Sequence, residues 1–386
     1  MTGPKMAGRS AARFKSLPFA QGYRMPAEWE PHESTWLAWP HFRDDWPGKF
    51  APIPWVYAEI VRNLARHERV DLIVNDASGE RRARAVLEKA GALSGTLGGN
   101  VRFHHWRTDR VWTRDSGCIF LTAGAERRSK DRADSGLLAL HFQFNAWAKY
   151  PNYAHDEKAG ARMAKAAGVR VFEPFVASQF NDRHRVVLEG GSIDVNGCGS
   201  LITTEECLLS TTQQRNPSMD RADYEQLFAD YFGVQSVIWL DSGIAGDDTH
   251  GHVDDITRFV GPNTVVTMIE TNEQNENYAA LHANLDRLKN ARASSGTSDG
   301  KKLEIVDIPM PRPVVFEGRQ LPASYANFYI ANGLVLAPVF NDPSDRVALN
   351  TLAGLFPGRE IVPIYCGDLI WGFGALHCMT QQQPAT

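Results

Sequence analysis

No two cysteines in this chain stand at the Cys-x-x-Cys spacing of a zinc or redox site, and the five present (Cys118, Cys198, Cys207, Cys366 and Cys378) are odd in number. A disulfide scaffold and a structural zinc are therefore not expected. No uninterrupted apolar run approaches the roughly 20 residues of a membrane-crossing helix, and the first 24 residues lack the apolar core of a secretory signal. Neither sign of charge dominates. The 41 basic residues face 45 acidic ones, a net charge of −4, which favours neither a nucleic-acid backbone nor an anionic membrane as partner. Together these absences point to a cytoplasmic protein with reduced thiols and a small-molecule partner.

Also missing are a long linker and a sequence repeat of fixed period. Only 126–135, which is charge-dense, and 293–301, rich in Ser and Gly, read as dispensable exposed loops. One domain over 25–386 is expected. It is preceded by a frayed basic tail, 1–24, that carries Lys5, Arg9, Arg13, Lys15 and Arg24 without an acidic residue; an organellar transit peptide would share that composition.

What is present alternates. Apolar spacing of three and four predicts helices over 55–67, 83–90, 155–167, 219–232 and 278–291. Between them lie β-rich runs at 70–74, 101–105, 137–144, 234–240, 265–269, 303–308, 329–338 and 361–365. At 386 residues and 43% hydrophobic content the chain can bury a large core, and the alternation predicts an α/β class.

Four segments concentrate Gly, His, Cys and carboxylates: 112–117, 188–192, 246–255 and 374–382. One pocket collecting them would hold a thiol, imidazoles, at least three carboxylates and little fixed positive charge. That mixture suits a cationic ligand and a thiolate nucleophile. Each residue also has a plainer explanation. Cys378 could be a buried inert thiol. His252 and Asp254, two apart, would share one face of an extended strand, and with His250 they read equally as metal ligands, as an acid-base pair or as a solvated strand end. Asp115 is read at a strand end, where it could grip a guanidinium or simply pair with Arg114. Glu189 precedes two glycines that allow close backbone approach, or that merely turn the chain. Among the aromatics, Trp29, Trp36, Trp39, Trp46, Trp112 and Trp147 could partly line a cation-binding channel, although most should be core. Asn327 could bond a ligand or form a turn.

Taken in order, Met25-Pro26-Ala27-Glu28-Trp29, Trp112-Thr113-Arg114-Asp115, Glu189-Gly190-Gly191, His252-Val253-Asp254 and His377-Cys378 resemble the agmatine deiminase family across about 25–382. The resemblance implies a five-bladed, pseudo-symmetric α/β propeller of ββαβ-like units around a central channel. It also implies cofactor-free and metal-free hydrolysis of a guanidinium group, agmatine to N-carbamoylputrescine and ammonia, and an assembly that is often a homodimer. Carried over, Cys378 is the nucleophile, His252 the general acid and base, Asp115 and Asp254 the guanidinium clamp, and Glu189 the carboxylate that orients His252. The expected substrate contacts are Asp115, Asp254, Trp112, Arg114 and Asn327.

The chain departs from the family pattern at Phe42-Arg43-Asp44-Asp45-Trp46 and Gly374-Ala375-Leu376, which bears on the substrate rather than the chemistry. A carboxylated substrate would want Arg43, Arg183, Arg185 or Arg258. Free or peptidyl arginine and amidino transfer are therefore the alternatives within this chemistry. Outside it stand a metal-dependent hydrolase built on His250, His252 and Asp254, and a non-catalytic binding protein.

Overall fold

The computed structural model of the chain describes residues 17–124, 136–177, 183–294 and 300–386. Apolar runs become strands wherever a second run can pair with them, and five mixed sheets result. Each begins with an antiparallel pair and adds a parallel strand. Ser200–Thr204 pairs antiparallel with Asp194–Val195 and parallel with Ser236–Leu240. Thr264–Ile269 takes Thr257–Phe259 and Glu304–Pro309 in the same way, and Leu334–Val339 takes Tyr329–Ala331 and Glu360–Tyr365.

A parallel neighbour demands a crossover, which in these three sheets is a helix: Arg221–Phe232, Asn277–Asn290 and Ser344–Leu355. The fourth sheet joins Tyr23–Arg24, Ile119–Ala123, Leu137–Leu140 and Arg170–Phe172, with Ala159–Ala167 as the crossover. In the fifth, the last strand, Gln381–Pro384, runs antiparallel to the early strand His32–Ala38, which pairs in parallel with Arg69–Val74 after the helix Ile53–Leu64. That helix buries Ile53, Tyr57, Ile60, Val61 and Leu64, the spacing of one helical face. The chain therefore repeats a unit in structure that it does not repeat in sequence.

Several expectations change. Asp115 lies in a short helix, Thr113–Ser116, not at a strand end, because Ser116 and Gly117 turn back to bond the carbonyls of Trp112 and Thr113. His252 and Asp254 do not share a strand face: His252 precedes the 3-10 turn Val253–Asp255. The run 329–338 is a hairpin, broken by Asn332-Gly333 with Gly333 at φ +74°, the turn chemistry that two-residue loops require. Helix Ser344–Leu355 and strands His32–Ala38, Ile119–Ala123 and Ser200–Thr204 were not anticipated.

The expected basic tail is too long, since Phe19–Gln21 forms a 3-10 turn and Tyr23–Arg24 pairs with Ile119–Ala123, while residues 1–16 lie outside the described residues. The loop at 126–135 also lies outside them. At 293–301 the flanks form a two-stranded ladder, Arg292–Ala293 against Lys301–Lys302, around the undescribed 295–299. No helix of the described residues is long and apolar enough to cross a membrane.

Candidate active site

Three short turns and one loop supply the polar centre. Helix Thr113–Ser116 presents Asp115, the turn Gly190–Ser192 follows Glu189, the turn Val253–Asp255 carries Asp254 behind His252, and the loop after Leu369–Gly372 ends at Cys378. All five side chains are buried. The His252 ring lies 3.9 Å from Asp115, 3.9 Å from Glu189 and 4.0 Å from Asp254, close enough for strong Coulombic coupling and too far for hydrogen bonds. Accordingly Glu189 Oε2, both His252 nitrogens and Asp254 Oδ1 are buried without a hydrogen-bond partner. Unpaired buried polar atoms are costly and uncommon, and four of them facing one another mark a space shaped for a polar, donor-rich ligand.

Glycine makes that space. A Cβ placed on Gly191 would stand 2.6 Å from His252 Nδ1 and 3.0 Å from both Asp115 Oδ1 and Asp254 Oδ2. Gly191→Ala is therefore expected to cut kcat/KM on the order of 100-fold, the scale of an ångström-sized displacement of reacting groups. Steady-state ammonia release together with an unchanged circular-dichroism spectrum checks it; wild-type kinetics would show that the three groups need not stay in place.

Each side chain is held from behind. Asp115 Oδ1 accepts the Gly191 N–H at 3.0 Å and Oδ2 the Trp147 indole at 2.9 Å. Trp147 sits at φ +59° between Ala146 and Ala148, also at positive φ, a run that non-glycine residues adopt only where surroundings enforce it. Glu189 accepts from Arg215 Nε at 3.1 Å. Asp254 Oδ2 meets His377 Nδ1 at 2.7 Å, and His377 Nε2 meets Glu28 at 2.8 Å. Asn327 Nδ2 donates to Cys378 Sγ at 3.0 Å and to Asp255 at 2.9 Å, and its Oδ1 accepts the His377 N–H at 2.9 Å.

The electrostatics follow from burial and these partners. Burial pushes the Asp115 carboxyl up to about 6, with Asp254 and Glu189 adding to the rise and His252 opposing it. For Glu189 burial is outweighed by Arg215 and His252, and its pKa falls to about 2. Burial alone would lower the His252 pKa; Asp115, with Cys207 and Glu189, overcomes it and holds the imidazole well above its ordinary value. The Cys378 thiol is driven well up by burial and then by Asp254, Asp255 and Asp115. Both shifts favour the protonated forms, thiol and imidazolium. A cation seated against the carboxylates would reverse the pressure on the thiol.

Cys378, Asp115 and Trp112 open onto a cleft of about 330 Å³, small-molecule size, also lined by Trp147, Tyr150 and Trp371. Other expected contacts lie elsewhere. Arg114 points away, its guanidinium bonded to Gln382, Glu28 and the His377 carbonyl, because neighbours on a helical turn face different sides. Asn327 serves the thiol rather than the cleft. Trp29, Trp36, Trp39 and Trp46 do not line the cleft; Trp36 and Trp46 are core.

Arg43 stacks on Phe50, Arg185 bonds His141, and Arg258 is buried between Glu28 and Asp194. The cleft's own cations are Arg110 and Arg319, which the sequence pattern did not single out. His250 leaves His252, turning to Ser210 at 3.2 Å and Glu206 at 3.6 Å. Among the described residues the donor groups close enough to share a metal are Glu189, Cys207 and His252, and Asp254, Asp255 and Cys378. Of the supports, Arg215 gave no motif signal, and Glu28, Asp255 and Trp147 lay in segments already singled out without their supporting roles being readable there.

Residues 24–384 match the family described as Porphyromonas-type peptidyl-arginine deiminase. The chain is 35% identical over 391 residues to the agmatine deiminase of Pseudomonas aeruginosa strain LESB58, covering 96% of this chain and 98% of that one. It is 34% identical over 398 residues to the agmatine deiminase of Stutzerimonas stutzeri strain A1501, with the same coverage. Among solved structures, the agmatine deiminase of Enterococcus faecalis aligns with a TM-score of 0.81 at 27% identity, over 96% of this chain and 98% of that one. A C. jejuni agmatine deiminase carrying a Cys-to-Ser substitution, with substrate bound, aligns with a TM-score of 0.78 at 26% identity over 94% and 96% of the two chains. The match runs nearly end to end, and the chain belongs to the Porphyromonas-type peptidyl-arginine deiminase family, together with these agmatine deiminases.

Proposed function

We propose that this chain hydrolyses agmatine to N-carbamoylputrescine and ammonia, using Cys378 as nucleophile and a covalent thiouronium intermediate. The observation that carries the reading is the cluster of Asp115, Glu189, His252 and Asp254, with unpartnered polar atoms on the last three, beside the Cys378 thiol. A guanidinium is planar, carries donors in a fixed fork, and is a weak electrophile because its charge is delocalised. Two carboxylates, Asp115 and Asp254, hold it flat and ionised.

Binding that cation relieves the carboxylate field on the thiol and allows Sγ to lose its proton to solvent. Sγ attacks the guanidinium carbon and the C=N π pair moves onto nitrogen. His252 gives its proton to the departing nitrogen, the C–N bond breaks and ammonia leaves a Cys378 thiouronium. The now neutral His252 takes a proton from water, hydroxide adds to the carbon, and the C–S bond breaks as the adduct's hydroxyl proton passes to Cys378 Sγ, returning the thiol, the charged imidazole and the ureido product. Asp254 is kept oriented by His377, and Glu189, fixed by Arg215, favours charged His252.

Because the Asp115 pKa is raised to about 6, its clamp charge is lost as pH falls through that value. The pH profile of kcat/KM should show an acidic limb near pH 6, and a flat profile to pH 5 would exclude Asp115 from the clamp.

The five mixed sheets among the described residues, each an antiparallel pair continued by a helix and a parallel strand, support reading the fold as the five blades of an α/β propeller. Site residues drawn from 112 to 378 support a single catalytic domain over 25–386. A cytoplasmic location fits the five unpaired cysteines. The test is ammonia release by purified protein given agmatine, free arginine or a peptide ending in arginine. Turnover of agmatine above the others is expected, and silence with agmatine alongside turnover of arginine would move the activity to another substrate of the same chemistry.

A further inference from the structure

One cleft carboxylate keeps an oxygen that neither the chemistry nor a hydrogen bond of the fold uses. Asp45 lies in the 3-10 turn Arg43–Asp45 and lines the same cleft as Cys378 and Trp112. Its side chain is only 9% exposed. Arg110 Nε bonds its Oδ1 at 3.1 Å, while Oδ2 is buried with no hydrogen-bond partner. Arg110 cannot readily take that oxygen as well, because its Nη1 donates to Asn152 at 3.2 Å and its guanidinium lies over the Tyr150 ring at 4.2 Å.

The neighbouring charges do not supply a partner either. Lys149 and the Tyr150 hydroxyl both bond Asp248, each at 2.6 Å, and Arg319 rests 4.6 Å from the centre of the Phe373 ring. Asp44 and Asp248, the other carboxylates of this wall, add negative potential around Asp45. A carboxylate oxygen that is out of water and unpaired, on a residue that lines a cleft, is satisfied best by a cationic donor.

Resting on the deiminase reading above, we propose that Asp45 is the specificity-determining residue for the far end of the substrate: its Oδ2 receives the terminal ammonium of an aminoalkylguanidine whose guanidinium is held at Asp115 and Asp254. The substrate class is then a dication with a positive group at each end of an alkyl chain. A guanidine bearing a carboxylate near its far end would meet Asp45, Asp44 and Asp248 instead of a free cation pair. Burial drives the Asp45 carboxyl up to about 7, with Asp248 and Asp44 adding to the rise and Arg110 and the Trp112 indole opposing it. A bound ammonium would lower it again.

The test compares agmatine with 1-butylguanidine, which keeps the guanidinium and the four-carbon chain and lacks the ammonium. Wild-type full-length protein is expected to favour agmatine in kcat/KM. In Asp45→Asn that preference should fall about tenfold to a hundredfold, the scale of one buried charge-assisted hydrogen bond, through KM for agmatine rather than kcat. An equal loss on both substrates would make Asp45 a structural support and overturn the assignment. A wild-type enzyme indifferent between the two substrates would overturn it as well, whether or not the variant folds. Absence of ammonia release from agmatine by the wild type would remove the deiminase reading and this assignment together, whereas turnover without preference removes the assignment alone.

Discussion

Cys378→Ala is expected to lower ammonia release from agmatine by on the order of 10⁴-fold or more, the loss seen when an enzyme's covalent nucleophile is removed. The effect should be this large because no second thiol can stand in. Cys207 is buried against His252 and Glu189 and is not part of the cleft lining, Cys118 and Cys366 are buried thiols whose pKa burial pushes well up, and Cys198 is exposed elsewhere. Nor is Cys378 needed to hold its own loop, which is fixed by backbone bonds from His377 to Asn327 and from Arg114 to the Cys378 carbonyl. The alanine protein should therefore fold and still bind agmatine. Intact-protein mass spectrometry after rapid acid quench should find a thiouronium adduct on the wild type and none on the variant. Residual turnover within tenfold of wild type would dispose of the thiol mechanism.

Asp254→Asn should reduce kcat/KM on the order of 10³-fold with a much smaller effect on folding. The carboxylate does two things at once. Oδ1 is unpartnered and, in the proposed mechanism, is offered to the guanidinium, while Oδ2 receives His377 Nδ1 at 2.7 Å and stands 3.7 Å from Cys378 Sγ. Asparagine preserves the shape and one acceptor, so the His377 bond can persist. The charge that clamps the substrate and keeps His252 protonated is lost. Burial would raise the Asp254 pKa, but His377, His252 and Arg258 outweigh it, so the native group is ionised before substrate arrives. Kinetics on agmatine paired with a thermal melt separate the two roles: activity within a few fold of wild type would remove Asp254 from the clamp, and a collapsed melting temperature would make it a structural ion-pair member.

The chemistry-bearing residues were legible because each sits in a short, compositionally odd segment. Glu189 beside two glycines, His252 and Asp254 across one valine, and Cys378 after His377 are recognisable in one dimension, and the structure brings them into a single hollow. Their supports were not legible. Arg215, Glu28 and Trp147 act through contacts with residues 26, 349 and 32 positions away in the chain, and no local pattern encodes such a distance. Arg114 was misplaced for the converse reason. Membership of a motif says nothing about which side of a helical turn a residue faces, and Arg114 faces Glu28 while its neighbour Asp115 faces Gly191.

By itself the sequence determined the alternation of helices and strands and the identities of the thiol, imidazole and carboxylates, because periodicity and side-chain chemistry are properties of the chain one residue at a time. Only the tertiary structure decided how these are joined. Gln381–Pro384 has no apolar alternation and becomes a strand by pairing with His32–Ala38 more than 300 positions earlier, with Trp36 donating to Gln383 at 3.1 Å across the pair. The recurrence of antiparallel pair, helix and parallel strand in the mixed sheets likewise appears only when strands pair, since backbone hydrogen bonding is indifferent to side-chain identity and leaves no repeat in the sequence. Asp45 makes the same point within the site: its side chain is one aspartate among many until burial, Arg110 and an empty cleft leave one of its oxygens unpaired.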